Sequence, residues 1–157
     1  MSLVTVAGLN IAFGARHVVR DVNFAIAPGE VLALVGESGS GKSLTALSLL
    51  QLLPPGAACT GAAMVDGQSV IGAPSRALRR LRGGVAGIVF QEPTSSLNPL
   101  TRIGAQVIEA MTLHRRLSAA AARVHAGELR DEGGFPDARH LLDRFPHQLS
   151  GGQKARV

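Results

Sequence analysis

The sequence predicts an α/β fold in which a core of strands and helices carries a helical insertion. Three observations support this class. Strand-like and helical segments alternate over residues 1–100, a glycine-rich loop joins an apolar run to a helical one, and residues 103–142 have mainly helical patterns. A chain of 157 residues can form one ordinary domain with a real core, and hardly two.

Strand patterns dominate the first part of the chain. "SLVTVAGL" (2–9) and "VNFAIAPG" (22–29) are predicted to be short strands, and a Pro-Gly pair closes the second. "VLALV" (31–35) and "GVAGIVF" (84–90) are continuous apolar runs. Such runs are typical of strands that are covered on both faces, so we expect both in the interior of a sheet.

Turn and helix signals separate and follow these strands. Asp66 and Gly67 predict a hairpin turn. "SLTALSLLQLL" (43–53) has leucines at near-helical spacing, and a Pro-Pro-Gly sequence is expected to stop that helix. In the helical part of the chain, Ser118 is a plausible cap for the helix that follows it, and "GGFP" (133–136) predicts a break.

Composition and charge bound the class of protein. Hydrophobic residues make up 46% of the chain and the mean hydropathy is +0.22, which favours a folded domain over a disordered one. The lone Cys59 weakly indicates a reducing compartment, and no stretch has the pattern of a signal peptide or a membrane span. The net charge of +5 could indicate binding to nucleic acid or to a membrane surface. Because no aromatic residues are interleaved with the basic ones, we favour solvated helix faces and expect no nucleic acid partner.

The stretch "GESGSGKS" (36–43) fits the phosphate-binding loop pattern G-x-x-x-x-G-K-[ST], and it lies between a predicted strand and a predicted helix. The glycines let successive N–H groups point at phosphate oxygens, Lys42 can reach the β- and γ-phosphates, and Ser43 can bind Mg²⁺. A Gly/Ser-rich turn with an incidental lysine is the alternative, and the spacing and context argue against it. The loop alone does not separate kinases, GTPases, helicases and transport ATPases. The predicted nucleotide-binding residues here are Gly36, Glu37, Ser38, Gly39, Ser40, Gly41, Lys42, Ser43 and Leu44.

Near the end of the chain, "LSGGQ" (149–153) resembles the signature of the ATP-binding-cassette (ABC) ATPases. The resemblance implies that ATP is the nucleotide and that two ATPase subunits pair head to tail, so that each signature contacts the ATP on the other's phosphate loop. The residues concerned would be Ser150, Gly151, Gly152 and Gln153. The alternative is that the S-x-x-Q pattern is only a helix capping box.

Two further stretches match the same family. In "FQEPTSSLNPL" (90–100), Gln91 matches the glutamine of the Q-loop, which implies that Gln91 approaches Mg²⁺ and the attacking water; Glu92 is then a loop residue and not the catalytic base. Lys42 and Gln91 are the expected catalytic residues, and Ser43 and Gln91 the expected Mg²⁺ ligands. Phe13 stands where the family has an aromatic residue stacked on adenine, although a core position on the first strand is equally compatible.

The resemblance implies a P-loop NTPase fold of the ABC type, with an N-terminal antiparallel β region, a RecA-like core and a helical subdomain. We expect residues 1–100 to form the ATP-binding core, 101–148 the helical subdomain, and 149–157 the signature and the start of its helix. The family continues with a Walker B strand, a D-loop and a switch histidine, which this sequence lacks. We therefore expect a truncated domain that does not hydrolyse ATP by itself and is unstable, because the neighbouring strand of "VLALV" is absent.

The detailed pattern is similar to the ATP-binding subunits of oligopeptide, dipeptide and nickel importers. This resemblance implies transport coupled to ATP hydrolysis at the cytoplasmic face of the membrane, with permease subunits as partners and a substrate-binding protein as an indirect one. Two alternatives stay open. One is a soluble ABC ATPase of DNA repair or translation, and the other is a non-hydrolysing remnant.

Overall fold

A computed structural model describes residues 2–90, 96–115, 117–132 and 141–156. The chain divides into two units, Met1–Gly87 and Ile88–Val157. The first unit combines a sheet with two short helices, and the second is helical. The mixed α/β class predicted from the sequence is therefore confirmed.

The first unit is built on a four-stranded antiparallel sheet. Its strands are β1 (Val4–Phe13), β2 (Arg16–Ile26), β3 (Ala57–Val65) and β4 (Gln68–Ser69), in the order β2-β1-β3-β4. The two predicted N-terminal strands are confirmed, and both are longer than their sequence patterns indicated. Val6, Leu9 and Ile11 of β1 are buried, and the three-residue step from Val6 to Leu9 spans a shift in the strand register.

The predicted turn at Asp66 and Gly67 is also confirmed. Both residues have positive φ angles, 47° and 71°, and the flanking Val65 and Gln68 are paired. Positive φ at both central positions defines the turn whose twist matches that of the strands it joins.

A bulge interrupts β1 between its two halves, and polar side chains satisfy the backbone there. The N–H of Gly8 donates to Asn23 Oδ1 at 2.7 Å, and Asn10 Nδ2 donates to the Gly8 carbonyl at 2.8 Å. The N–H of Asp21 donates to Asn10 Oδ1 at 3.0 Å. Across the sheet, Gly61 has a φ of 102°, and its Cα lies so close to the Gly8 carbonyl that no side chain fits between them.

Two helices belong to this unit, α1 (Lys42–Ser48) and α2 (Ser75–Leu81). The sequence predicted that the first would continue toward the Pro-Pro-Gly stop, and this prediction is wrong. The chain leaves the helix after Ser48 through Gln51, which has a φ of 49°. Arg82 stabilises this early end, because its guanidinium donates to the carbonyls of Leu50 and Gln51 at 2.8 and 2.6 Å.

Two predicted strands are not found, and both predictions are corrected here. Residues 31–35 form no strand, and the exposed fractions of Val31 and Val35 are 93% and 90%. Within 84–90 there is only an isolated bridge from Ala86 to Arg82, and Val89 is exposed. A strand needs a neighbour to receive its hydrogen bonds, and no described strand lies beside either segment. Continuous apolar composition alone does not supply one.

The second unit contains the helices α3 (Ile103–Arg115), α4 (Ala119–Glu132) and α5 (Gly151–Arg156), with a 3-10 turn at Pro146–Gln148 before the last. The helical prediction for this region is confirmed. So is the cap at Ser118, whose Oγ accepts a hydrogen bond from the N–H of Ala121 at 3.2 Å. The predicted break at 133–136 lies outside the described residues. A small core in this unit is made by Ile103, Leu141 and Leu149, with Leu97 and Val107 packed against it.

Candidate nucleotide-binding site

The phosphate-loop sequence forms an open turn that leads directly into α1. Gly36, Gly39 and Gly41 all have positive φ angles, of 152°, 81° and 91°. Residues with side chains rarely adopt such angles, so the glycines predicted from the motif are the ones that the backbone path requires. The turn is closed by a hydrogen bond from the N–H of Ser40 to the Glu37 carbonyl at 3.2 Å.

The ammonium group of Lys42 lies inside this turn. Its Nζ donates to the carbonyls of Gly36 and Glu37 at 2.8 and 2.6 Å, and to Ser40 Oγ at 3.2 Å. These contacts place a cation at the centre of a loop that also presents backbone N–H groups. An anion with several oxygens, such as a phosphate chain, fits the combination of a cation, a glycine-rich turn and the start of a helix.

The buried side chains of helix α1 are hydroxyl-bearing residues and not its leucines. Thr45 and Ser48 are buried, and their hydroxyls donate to the carbonyls of Gly41 and Thr45 at 3.0 and 2.7 Å. At the start of the helix, Gly41 lies against β2, where Val18 and Val19 leave no room for a larger residue. This close approach fixes where the first turn of α1, and with it Lys42, stands.

A small open cavity of about 150 Å³ lies at the loop, and its lining contains Val18 together with residues 39–44. Five of the predicted loop residues and Leu44 are thus brought together. Val18 was missed by the sequence analysis, because its place on β2 gives no local signal of contact with a loop over twenty residues later. Phe13 is half-buried at the end of β1, opposite Arg16 and Ala57, and it is not among the residues that line the cavity. Adenine stacking on Phe13 stays a prediction.

The residues expected to hold Mg²⁺ are only partly covered by the structure. Ser43 is the second residue of α1, and its exposed side chain borders the cavity. A hydroxyl oxygen beside a phosphate site is a donor that Mg²⁺ accepts together with phosphate oxygens. Gln91, predicted to be the second ligand and a catalytic residue, lies outside the described residues, as does Glu92.

In the second unit, the signature stretch forms the N-terminus of α5. Gln153 N–H donates to Ser150 Oγ at 3.3 Å, and Ser150 N–H donates to Gln153 Oε1 at 2.9 Å. This reciprocal pair is a capping box, so the S-x-x-Q pattern does cap a helix, as its alternative interpretation predicts. It does not compete with the functional interpretation, because the same cap orders the backbone of Gly151 and Gly152 at the start of the helix.

Comparison with known proteins identifies the class. The ABC transporter family matches residues 19–157, which include the glycine-rich loop at 36–43, Gln91 and the sequence "LSGGQ" at 149–153. The chain belongs to this family.

Individual relatives show which members of this family the chain is similar to. The chain is 47% identical to the peptidoglycan transport ATP-binding protein YejF of Agrobacterium fabrum, over 99% of this chain and 30% of that protein. It is 43% identical to a putative peptide import ATP-binding protein of Brucella abortus, over 99% of this chain and 48% of that one. It is 38% identical to the oligopeptide transport ATP-binding protein OppD of Escherichia coli, again over 99% and 48%. The chain therefore spans less than half the length of these relatives.

Solved structures agree with the fold. The ATP-binding cassette MJ0796, in a dimeric post-hydrolysis state bound to ADP and Pi, matches with a TM-score of 0.81 and 26% identity, over 98% of this chain and 66% of that one. CbiO1 of Clostridium perfringens, part of the transporter complex cbiONQ, matches with a TM-score of 0.73 and 27% identity, over 99% of this chain and 58% of that one. None of the helices in the described residues is long and apolar enough to cross a membrane.

Proposed function

We propose that this chain is the nucleotide-binding part of an ABC importer subunit, and that the imported substrates are di- or oligopeptides. The observation that carries the proposal is the placement of the Lys42 ammonium in a glycine-rich turn at the start of α1, in a chain of this family. The names of the relatives support import of peptides over DNA repair or translation.

ATP would be held mainly by the phosphate loop. Its γ-phosphate would take hydrogen bonds from Lys42 and from the N–H groups of the turn, and Ser43 with Gln91 would hold the Mg²⁺ that neutralises the phosphate charge. The bound metal supplies charge stabilisation at the phosphates. The start of α1 would orient the phosphates, since Gly41 is held against β2.

The signature would act on a second nucleotide. In a head-to-tail pair of subunits, Ser150, Gly151, Gly152 and Gln153 would lie against the γ-phosphate bound to the partner's loop. The dimeric state of MJ0796 supports such pairing, and the place of CbiO1 in a transporter complex supports permease partners at the cytoplasmic face of a membrane. A substrate-binding protein would reach this subunit only through the permease.

Nucleotide binding is tested by titrating the wild type, Lys42→Ala and Arg79→Ala with Mg-ATP. Arg79→Ala is the control, because Arg79 is an exposed cationic residue on α2. A charge-assisted contact contributes about 1.5–3 kcal/mol, so we expect Lys42→Ala to weaken binding by roughly 10- to 150-fold. Arg79→Ala should bind like the wild type. Equal affinities for all three proteins would reject the proposed site.

Hydrolysis and transport need separate measurements. None of the residues that line the described cavity is a carboxylate, so residues 1–157 are expected to bind Mg-ATP without sustained phosphate release. Turnover that Lys42→Ala abolishes would contradict this. Co-purification with permease subunits would support the importer, whereas co-purification with nucleic acid would favour the soluble ATPase.

A further inference from the structure

The segment that precedes the signature is fixed on the first turn of α3. The N–H of Ile103 donates to the Arg144 carbonyl at 2.9 Å. Gly104 lies so close to Leu142 that an added Cβ would be 2.8 Å from the Leu142 carbonyl oxygen. Two independent backbone approaches therefore join the start of α3 to residues 142–144.

The side chain of Phe145 extends this attachment. The guanidinium carbon of Arg102 lies 5.5 Å from the centre of the Phe145 ring. The imidazole of His147 stacks on the same ring at 5.7 Å, with an angle of 12° between the planes. Both distances are within the range in which cations and aromatic rings attract a phenyl ring. The three side chains form a group, called here the Phe145 stack.

The backbone then carries this placement to the signature. Phe145 N–H donates to Gln148 Oε1 at 2.8 Å, which closes the 3-10 turn. Leu149 follows and is buried beside Ile103 and Leu141. Ser150, the cap of α5, is the next residue. Between the stack and the signature cap there is thus only one closed turn and one buried side chain.

We infer that Phe145 is a positioning residue for the signature: held by Arg102 and His147, it sets where the N-terminus of α5 stands relative to α3. The inference rests on the proposed function, since the step that it affects is the contact of the signature with a partner's ATP. It assigns Phe145 no contact with nucleotide. A role confined to positioning the signature predicts that loss of the ring leaves nucleotide binding at the phosphate loop unchanged.

The test compares Phe145→Leu, Phe145→Tyr and Arg102→Gln in the intact importer subunit assembled with its permease partners, because residues 1–157 alone are not expected to hydrolyse ATP. Leu113→Ala is the control, because Leu113 lies on α3 with 70% of its surface exposed. Phe145→Leu keeps an apolar side chain but has no ring face, and Phe145→Tyr keeps the face. We expect kcat for ATP hydrolysis to fall about tenfold in Phe145→Leu, as for the loss of one aromatic and one cation–π contact. The affinity for Mg-ATP should stay within about twofold, Phe145→Tyr should regain most of kcat, and Arg102→Gln should lie between.

A spectroscopic measurement keeps the inference testable if activity is low. In nuclear magnetic resonance spectra of the chain, the amide signals of Gly151 and Gly152 should move in Phe145→Leu and return in Phe145→Tyr. A wild-type kcat in Phe145→Leu, or equal losses of kcat and ATP affinity, would overturn the inference. If the wild type neither binds nor hydrolyses ATP, the proposed function is wrong, and the amide signals alone then decide whether the Phe145 stack positions α5.

Discussion

Two glycines of the phosphate loop provide a matched pair of substitutions with different expected costs. Gly39 and Gly41 both have left-handed backbone angles, with φ of 81° and 91°. A Cβ on Gly39 would meet nothing within 4 Å, whereas a Cβ on Gly41 would lie 2.7 Å from Val19 Cγ2 and 3.2 Å from the Val18 carbonyl oxygen. Substitution by alanine therefore tests backbone angle alone at one position, and angle plus packing at the other.

The magnitudes follow from these contacts. An alanine in the left-handed region costs about 1–2 kcal/mol of the free energy of unfolding at either position. At Gly41 the neighbouring Val19 is buried, so relief of the clash must move either that side chain or the start of α1, which adds about 1–3 kcal/mol. We expect Gly39→Ala to lose about 1–2 kcal/mol and Gly41→Ala about 2–5 kcal/mol.

Urea unfolding of both variants measures the difference, and a double variant identifies its cause. If the Val19 side chain is the obstacle, Gly41→Ala combined with Val19→Ala should be more stable than the sum of the two single effects predicts, by about 0.5–3 kcal/mol. Gly41→Ala should also weaken Mg-ATP binding, because the displaced helix start carries Lys42. Equal stability losses at the two glycines, or strict additivity in the double variant, would refute the packing argument.

Three further substitutions or reactions test other contacts. Arg82→Ala should lower the free energy of unfolding by about 1.5–3 kcal/mol, since it leaves two carbonyls after α1 without their charged donor; urea unfolding measures this, and Arg82→Lys should recover only part of it. Gly61→Ala should lower the free energy of unfolding by more than about 3 kcal/mol, because main chain and not a flexible side chain occupies the space. Gly67→Ala has open space around it and should lose only the cost of its backbone angle, so comparable losses would contradict the bulge geometry. Burial raises the pKa of the Cys59 thiol, and a hydrogen bond with Gln51 opposes this effect only in part. Alkylation of Cys59 near pH 8 should therefore be slower than in the urea-unfolded chain and should accelerate only at higher pH. Equal rates would show that the thiol is not desolvated.

The features that the sequence predicts correctly are those decided by a few adjacent residues. Asp66 and Gly67 determine their turn because both tolerate positive φ. Ser118 and Ser150 cap helices with their own hydroxyls, at a distance of three residues. The backbone of the glycine-rich turn at 36–41 belongs to the same group, since its glycines and Lys42 are all supplied within one turn and the first residue of α1.

The features that sequence reasoning missed depend on residues far away in the chain. The end of α1 is stabilised by Arg82, more than thirty residues later, whereas the leucine pattern alone favoured a longer helix. The apolar run at 31–35 has the composition of a central strand, but a strand forms only with a neighbour, and no described strand pairs with it. Val18 lines the cavity because Gly41, the residue before α1, lies against Val18 and Val19 of β2, and no local pattern encodes this contact.

Lys42 connects the order of the phosphate loop to its charge. Its ammonium donates to the carbonyls of Gly36 and Glu37 and to the hydroxyl of Ser40, so the cation that the proposed function assigns to phosphate also holds the turn together. A phosphate chain that takes hydrogen bonds from the same ammonium must compete with these contacts, and the turn must then be held by the phosphate itself. The loss of affinity in Lys42→Ala therefore combines two effects, the missing cation and a less ordered turn. Gly41 lies against Val18 and Val19 of β2, so the start of α1 is also held by contacts in which Lys42 takes no part.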